Sequence, residues 1–205
     1  MGTGMKVALG VIGAIVLVAI IFGTTIAGTY NSLVKLDEEA QKQWGQVENV
    51  YQRRADLIPN LVATVKGAAN FEQSTLTAVT EARAKVGQVS SGAIENVARD
   101  PQAFARFQQA QDGLSSALSR MMVVVEKYPE LKATQGFRDL QVQLEGAENR
   151  ITVERMRFND AAQGFNTRRN TFPTVLIAGF FGARFQEKPY FKSQAGAEKA
   201  PEVKF

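Results

Sequence analysis

The stretch "LVKLDEEAQKQWGQVENVYQRRADLIPNLVATVK", residues 33–66, decides the fold. Its apolar and small residues fall at 33, 36, 40, 44, 47, 50/51, 57/58, 61 and 65, and Arg54 is the one polar residue in the series. Spacings that alternate between three and four place them on one seam of an α-helix, because about 3.6 residues complete a turn. A strand would need alternation with period two, and the stretch has none. A helix with one apolar seam must bury it against other helices.

The downstream sequence supplies those helices. Gly67 and the polar "NFEQS" at 70–74 interrupt the first one. A second runs from about Phe71 to Gly87 with Leu76, Val79, Ala82 and Val86 inward, and "GQVSSGAIEN" at 87–96 reads as a loop broken by Gly87 and Gly92. Asp100 is an N-cap candidate and Pro101 suits a first helical position. Behind them Phe104, Phe107, Gln111, Leu114, Leu118, Met121, Val125 and Tyr128 form a heptad series. Gln111 is its polar member, and a buried amide there needs partners. Pro129 ends that helix, and "YPELKA" turns the chain towards Thr134, another N-cap candidate. The last long helix carries Phe137, Leu140, Leu144, Ala147, Ile151, Glu154, Phe158, Ala161 and Phe165. It ends at "NTRRNTFP", since Pro173 pushes Phe172 out of the α region. The fold class expected is all-α, an antiparallel up-and-down four-helix bundle; a kink rather than a break at 67–71 would leave three longer helices.

Upstream, "VALGVIGAIVLVAIIFGTTIA", residues 7–27, carries no charge. As a helix it is about 31 Å long, the thickness of a bilayer's hydrocarbon core. It exceeds the apolar run of a cleaved signal peptide, so a retained transmembrane anchor is the reading. Lys6 before it and Lys35 and Lys42 after it nearly balance, so the positive-inside rule selects no side. The domains expected are an anchor at 1–29, a helical bundle at 30–187 and a flexible tail at 188–205.

Composition limits the chemistry. The 205 residues contain neither cysteine nor histidine and carry a net charge of +4. Thiol nucleophiles, imidazole bases, disulfides and zinc sites built on Cys or His are excluded, and the charge is too small and dispersed to argue for nucleic acid. No catalytic residue, metal or cofactor is expected.

Within the first helix, "RRADLIPNL" at 53–61 concentrates polar residues. Pro59 cannot donate to the carbonyl of Ala55, which leaves that oxygen for another donor; Asn60 is one candidate. Arg53 and Asp56, three apart, can pair along the helix. Arg54 on the seam needs a carboxylate, carbonyl or ring, with Glu145, Glu148 and Glu154 as candidates. Arg53, Arg54, Asp56, Pro59 and Asn60 are read as a structural or interaction motif, and the lone Trp44 as core. A second set lies after the last helix, whose end gathers Arg150, Arg155, Arg157, Arg168 and Arg169. There "PTVLIAGFFGARF", 173–185, either caps the bundle or meets a membrane interface through Phe180, Phe181, Arg184 and Phe185.

The segments "YNSLVKLDEEAQKQWGQVENVYQRRADLIPNLVATVKGAANFEQSTLTAVTEARAKV", "LSRMMVVVEKYPELKATQGFRDLQVQLEGAENRI" and "ERMRFNDAAQGFNTRRNTFP", with the closing "APEVKF", resemble the LemA family of bacterial membrane proteins. The resemblance covers essentially everything after the anchor. It implies an up-and-down helical bundle behind an N-terminal membrane segment, with no established enzymatic activity. Relatives with a lipoprotein signal in place of the anchor imply an extracytoplasmic bundle on the inner membrane, whereas family descriptions with the opposite orientation imply a bundle on the other side. The function expected is a single-pass, membrane-anchored, non-enzymatic scaffold or adaptor. Its expected partners are membrane lipid and either further copies of itself or an envelope protein. The alternatives are an accessory subunit of a membrane protease or other envelope enzyme, and a membrane-remodelling or lipid-sensing protein.

Overall fold

A computed structural model describes residues 2–67, 71–93 and 97–192. Among them every regular element is helical. α1 spans Thr3–Lys66, α2 Gln73–Ala93, α3 Pro101–Val125, α4 Pro129–Ala133, α5 Gln135–Asn170 and α6 Thr174–Phe180, followed by a 3-10 turn at Gly182–Phe185. The result is an all-helical, bundle-like arrangement behind a long apolar helix.

The helix starts follow local chemistry. Asp100 accepts from the Gln102 amide at 2.8 Å and Pro101 opens α3. Thr134 accepts from the Phe137 amide to start α5. The anchor runs on into the bundle, and one boundary differs from the sequence expectation. The apolar segment and the first bundle helix form one continuous 64-residue helix, α1. Gly87 does not break α2, which runs on to Ala93 because Val86 is buried and Val89 packs behind it.

α1 and α5 pack along much of their length in opposite directions: Leu33 shares a core cluster with Phe165, Trp44 packs on Phe158, and Arg54 meets Glu148. α2 pairs with α3. The core they enclose is three apolar clusters in a row. The basal one holds Leu33, Phe165, Ala178 and Phe185. The middle one surrounds Trp44, whose ring lies 5.1 Å from Phe107 and 5.4 Å from Phe158. The distal one includes Ile58, Leu61, Leu114, Met121 and Phe137. A buried polar layer lies at each junction, marked on α1 by Asp37 and Arg54.

The chain after α6 also corrects the sequence reading. Lys188 and Phe191 are buried against the bundle, so 188–192 belong to it and not to a tail. Residues 193–205 lie outside the described residues. Among the described residues nothing covers the apolar part of α1: none of its most apolar window is buried.

Candidate functional site

The upper polar layer is built on Arg54, 1% exposed. Its Nη1 donates to Ser115 Oγ at 2.8 Å and to Glu148 Oε2 at 2.9 Å. Its Nη2 donates to Gln111 Oε1 at 2.6 Å, and the guanidinium lies 5.2 Å from the centre of the Tyr51 ring. A buried guanidinium is costly unless its donors find acceptors, and here α3 and α5 supply them to both Nη groups, while Nε has no hydrogen-bond partner among the described residues. One residue further on, Arg83 Nε of α2 donates to the Ala55 carbonyl at 3.1 Å. That is the oxygen deprived of its helical donor by Pro59. Arg83 fills the role that sequence offered to Asn60, which is exposed. Residues 54 and 55 thus tie α1 to α2, α3 and α5 at one level.

The five residues of the 53–60 motif do not converge. Arg54 points inward, whereas Arg53, Asp56, Pro59 and Asn60 are exposed. Asp56 accepts from Gln52 Nε2 at 2.7 Å, so the Arg53–Asp56 pairing is replaced by a bond one turn back.

The lower polar layer was not foreseen. Asp37, 2% exposed, pairs with Lys188 and with Arg99, whose Nη2 lies 2.8 Å from Asp37 Oδ2. Burial pushes the Lys188 ammonium below its usual range, and the Asp37 carboxylate acts against that shift. Lys188 Nζ also sits 5.0 Å from the centre of the Phe165 ring. The segment carrying Lys188 is held by two asparagines of α5. Asn166 Nδ2 donates to the Lys188 carbonyl at 2.9 Å, and its Oδ1 accepts from the Lys188 amide at 2.8 Å. Asn159 does the same for Phe191 at 3.0 and 2.9 Å. Asparagines seven apart face the same way on a helix, rising about 10.5 Å, and three residues of extended chain cover about the same distance. Phe191 then enters the middle cluster, 4.6 Å from the Phe104 ring, beneath the Arg155 guanidinium.

Other ionisable groups respond to the same burial. Tyr51 is pushed upward by burial, against the pull of Arg155 and Arg54. Glu48 is raised by burial, and the Trp44 indole beside it acts the other way without reaching hydrogen-bond geometry. Among the described residues no three Asp or Glu side chains gather as a metal site would require.

At the base the 173–185 segment has two faces. Thr174, Ala178 and Phe185 are buried, so Phe185 is a cap residue and not the interfacial residue the sequence suggested. Phe181 leans on Tyr30 with ring centres 4.9 Å apart, while Phe180 is 86% exposed. Arg184 is exposed, with its guanidinium 5.7 Å from the Tyr30 ring centre.

The arrangement defines a class: a helical bundle locked by buried polar layers and continuous with one helix long and apolar enough to cross a membrane. The LemA family profile matches residues 43–205, and the chain belongs to that family. It is similar to magnetosome protein MamQ 2 of Paramagnetospirillum magneticum, 30% identical over 92% of this chain and 75% of that protein. Magnetosome protein MamQ of Magnetospirillum gryphiswaldense is 30% identical over 85% of this chain and 71% of its own length. Protein LemA of Metamycoplasma hominis is 25% identical over 77% and 67%.

Some unforeseen residues left a trace in the sequence. Asp37 lies four after Leu33 and three before Ala40, on the seam itself. Asn159 and Asn166 each follow a buried phenylalanine, Phe158 and Phe165, at heptad spacing. Arg99 and Lys188 had no such periodic signal.

Proposed function

We propose that this protein is a single-pass, membrane-anchored helical scaffold that self-associates or recruits an envelope partner, with its bundle on the extracytoplasmic side of the inner membrane. The observation that carries the reading is α1. It is one helix whose apolar half is bare and whose other half supplies Arg54 and Trp44 to the core. An anchor continuous with a bundle helix transmits position and tilt rigidly, which suits an assembly element. In the apolar half the Thr24 and Thr25 hydroxyls bond back to the carbonyls of Ile20 and Ile21 at 3.0 and 2.8 Å, leaving no hydroxyl hydrogen unpaired in lipid. The magnetosome relatives are named for a cellular body rather than for a reaction, which supports a structural role.

The test is the mass of the full-length protein in mild detergent beside a fragment beginning at Tyr30. A large, defined assembly of the full-length chain is expected, and its survival in the fragment would assign the contacts to the bundle. Monomers in both would sink self-association; a co-purifying enzyme would then favour the accessory-subunit alternative. Protease digestion of spheroplasts reads the side, since an extracytoplasmic bundle is cleaved without lysis.

A further inference from the structure

The outer face of the base is apolar and uncovered. Phe172, Leu176 and Phe180 are 77%, 66% and 86% exposed, while Thr174 and Ala178 of the same short segment are buried. Leu176 and Phe180, four apart, share the outer face of α6. Bulky apolar side chains grouped at a surface need a cover.

The position of the group identifies that cover. α6 packs beside the point where α1 leaves the bundle: among the described residues Thr29 is the first buried one of α1, and the Tyr30 ring lies tilted against Phe181. The apolar run ends at Ala27, before the polar Thr29, Asn31 and Ser32. Tyr30 lies three positions beyond Ala27, about 4.5 Å along the helix axis. If the run fills the hydrocarbon core, α6 lies at the headgroup boundary, where aromatic rings and arginines are favourably placed. The charges agree. Arg169 faces Glu187 at 3.4 Å, so the exposed Arg168 and Arg184 remain as excess cations beside the apolar face.

We infer that α6 is a foot of the bundle, set into the headgroup layer of the same bilayer that α1 enters, with Phe172, Leu176 and Phe180 towards the acyl chains and Arg168 and Arg184 on anionic lipid. This rests on the anchor reading. It adds a second point of attachment, which fixes the tilt and rotation of the bundle about α1.

The chain has no cysteine, so one introduced thiol is a unique label site. Full-length Phe180→Cys, Ile15→Cys and Glu130→Cys, each carrying a fluorophore, are reconstituted in phosphatidylcholine vesicles containing brominated lipid, with and without phosphatidylglycerol. Ile15 reports the apolar run, and the exposed Glu130 on α4 reports the other end of the bundle. The expected result is strong quenching at 15, several-fold more quenching at 180 than at 130, and a further rise at 180 with phosphatidylglycerol. Quenching at 15 with equal, weak signals at 180 and 130 overturns the foot and leaves the anchor standing. Weak quenching at 15 overturns the anchor itself. Pyrene excimers at 180 in place of lipid quenching assign the face to a second copy and overturn the lipid assignment. Quenching at 180 that ignores phosphatidylglycerol overturns the anionic-lipid part. In a second background, Arg168→Gln with Arg184→Gln is expected to abolish the phosphatidylglycerol response; an undiminished response removes those arginines from the site.

Discussion

Arg54 Nη2 lies 2.6 Å from Gln111 Oε1, so a polar residue that interrupts the apolar seam of α1 is bonded to the one that interrupts the seam of α3. Two exceptions, each costly alone, become one satisfied contact. Glu148 and Ser115 accept from the other terminal nitrogen of the guanidinium, and the layer sets the register of three helices.

Breaking one side of that contact is expected to cost more than breaking both. Arg54→Ala strands the buried Gln111 amide, a penalty of about 1–3 kcal/mol, and leaves a void besides. Arg54→Met combined with Gln111→Leu is expected to recover most of the loss, because paired apolar replacement is close to neutral. Denaturant unfolding followed by circular dichroism measures both. Simple additivity of the single losses would show that the two residues are not coupled.

Arg83 and Pro59 are linked through the Ala55 carbonyl. Arg83→Met is expected to cost about 1.5–3 kcal/mol, the range for a hydrogen bond from a charged donor. With Pro59→Ala the helix regains its own donor to Ala55, and the same Arg83→Met change is expected to cost measurably less. A cycle with no coupling would mean that Arg83 acts only by packing.

The Asn clamps make a residue-specific forecast. In Asn159→Ala the Phe191 amide loses its acceptor, and in Asn166→Ala the Lys188 amide does. Hydrogen exchange is expected to accelerate at one amide in each variant and not at the other. Phe191→Ala should cost about 3–5 kcal/mol and expose Trp44, the chain's single tryptophan, to give a red-shifted emission. An unchanged spectrum would remove Phe191 from the core.

Glu48 sets a pH test. Its folded value is raised above the ordinary 4.5 by burial, so the folded state binds more protons than the unfolded state between 4.5 and that raised value. Stability therefore falls as pH rises through this window, and the cost persists at neutral pH. Glu48→Gln is expected to raise the melting temperature at pH 7, with an advantage that disappears below pH 4.5. An advantage independent of pH would assign the effect to packing.

How far each feature was legible follows from the range of the interactions that make it. The heptad series in α3 and α5, the caps at Asp100 and Thr134 and the stop at Pro173 are written within a few residues of one another, so they could be read directly. Gly87 misled because a lone glycine costs a helix only about 1 kcal/mol, which the packing of Val86 and Val89 offsets. Arg54 and Gln111 were visible as exceptions, but their pairing spans 57 positions and required the folded chain. Phe185 could not be separated from Phe180 by composition, since both are phenylalanines in one apolar run and only the packing on Leu33 and Phe165 divides them.

By itself the sequence determined that this chain is helical, that one segment is long and apolar enough for a bilayer, and that histidine and cysteine chemistry is excluded. Those properties depend on residue type and spacing along one chain. The tertiary structure alone decided which polar residues meet: Asp37 with Lys188 and Arg99, Arg83 with the carbonyl freed by Pro59, Asn159 and Asn166 with the chain beyond α6. Buried polar groups must be paired, but the pairing rule names only the kind of partner. Which partner arrives is set by how apolar seams pack residues distant in sequence against each other.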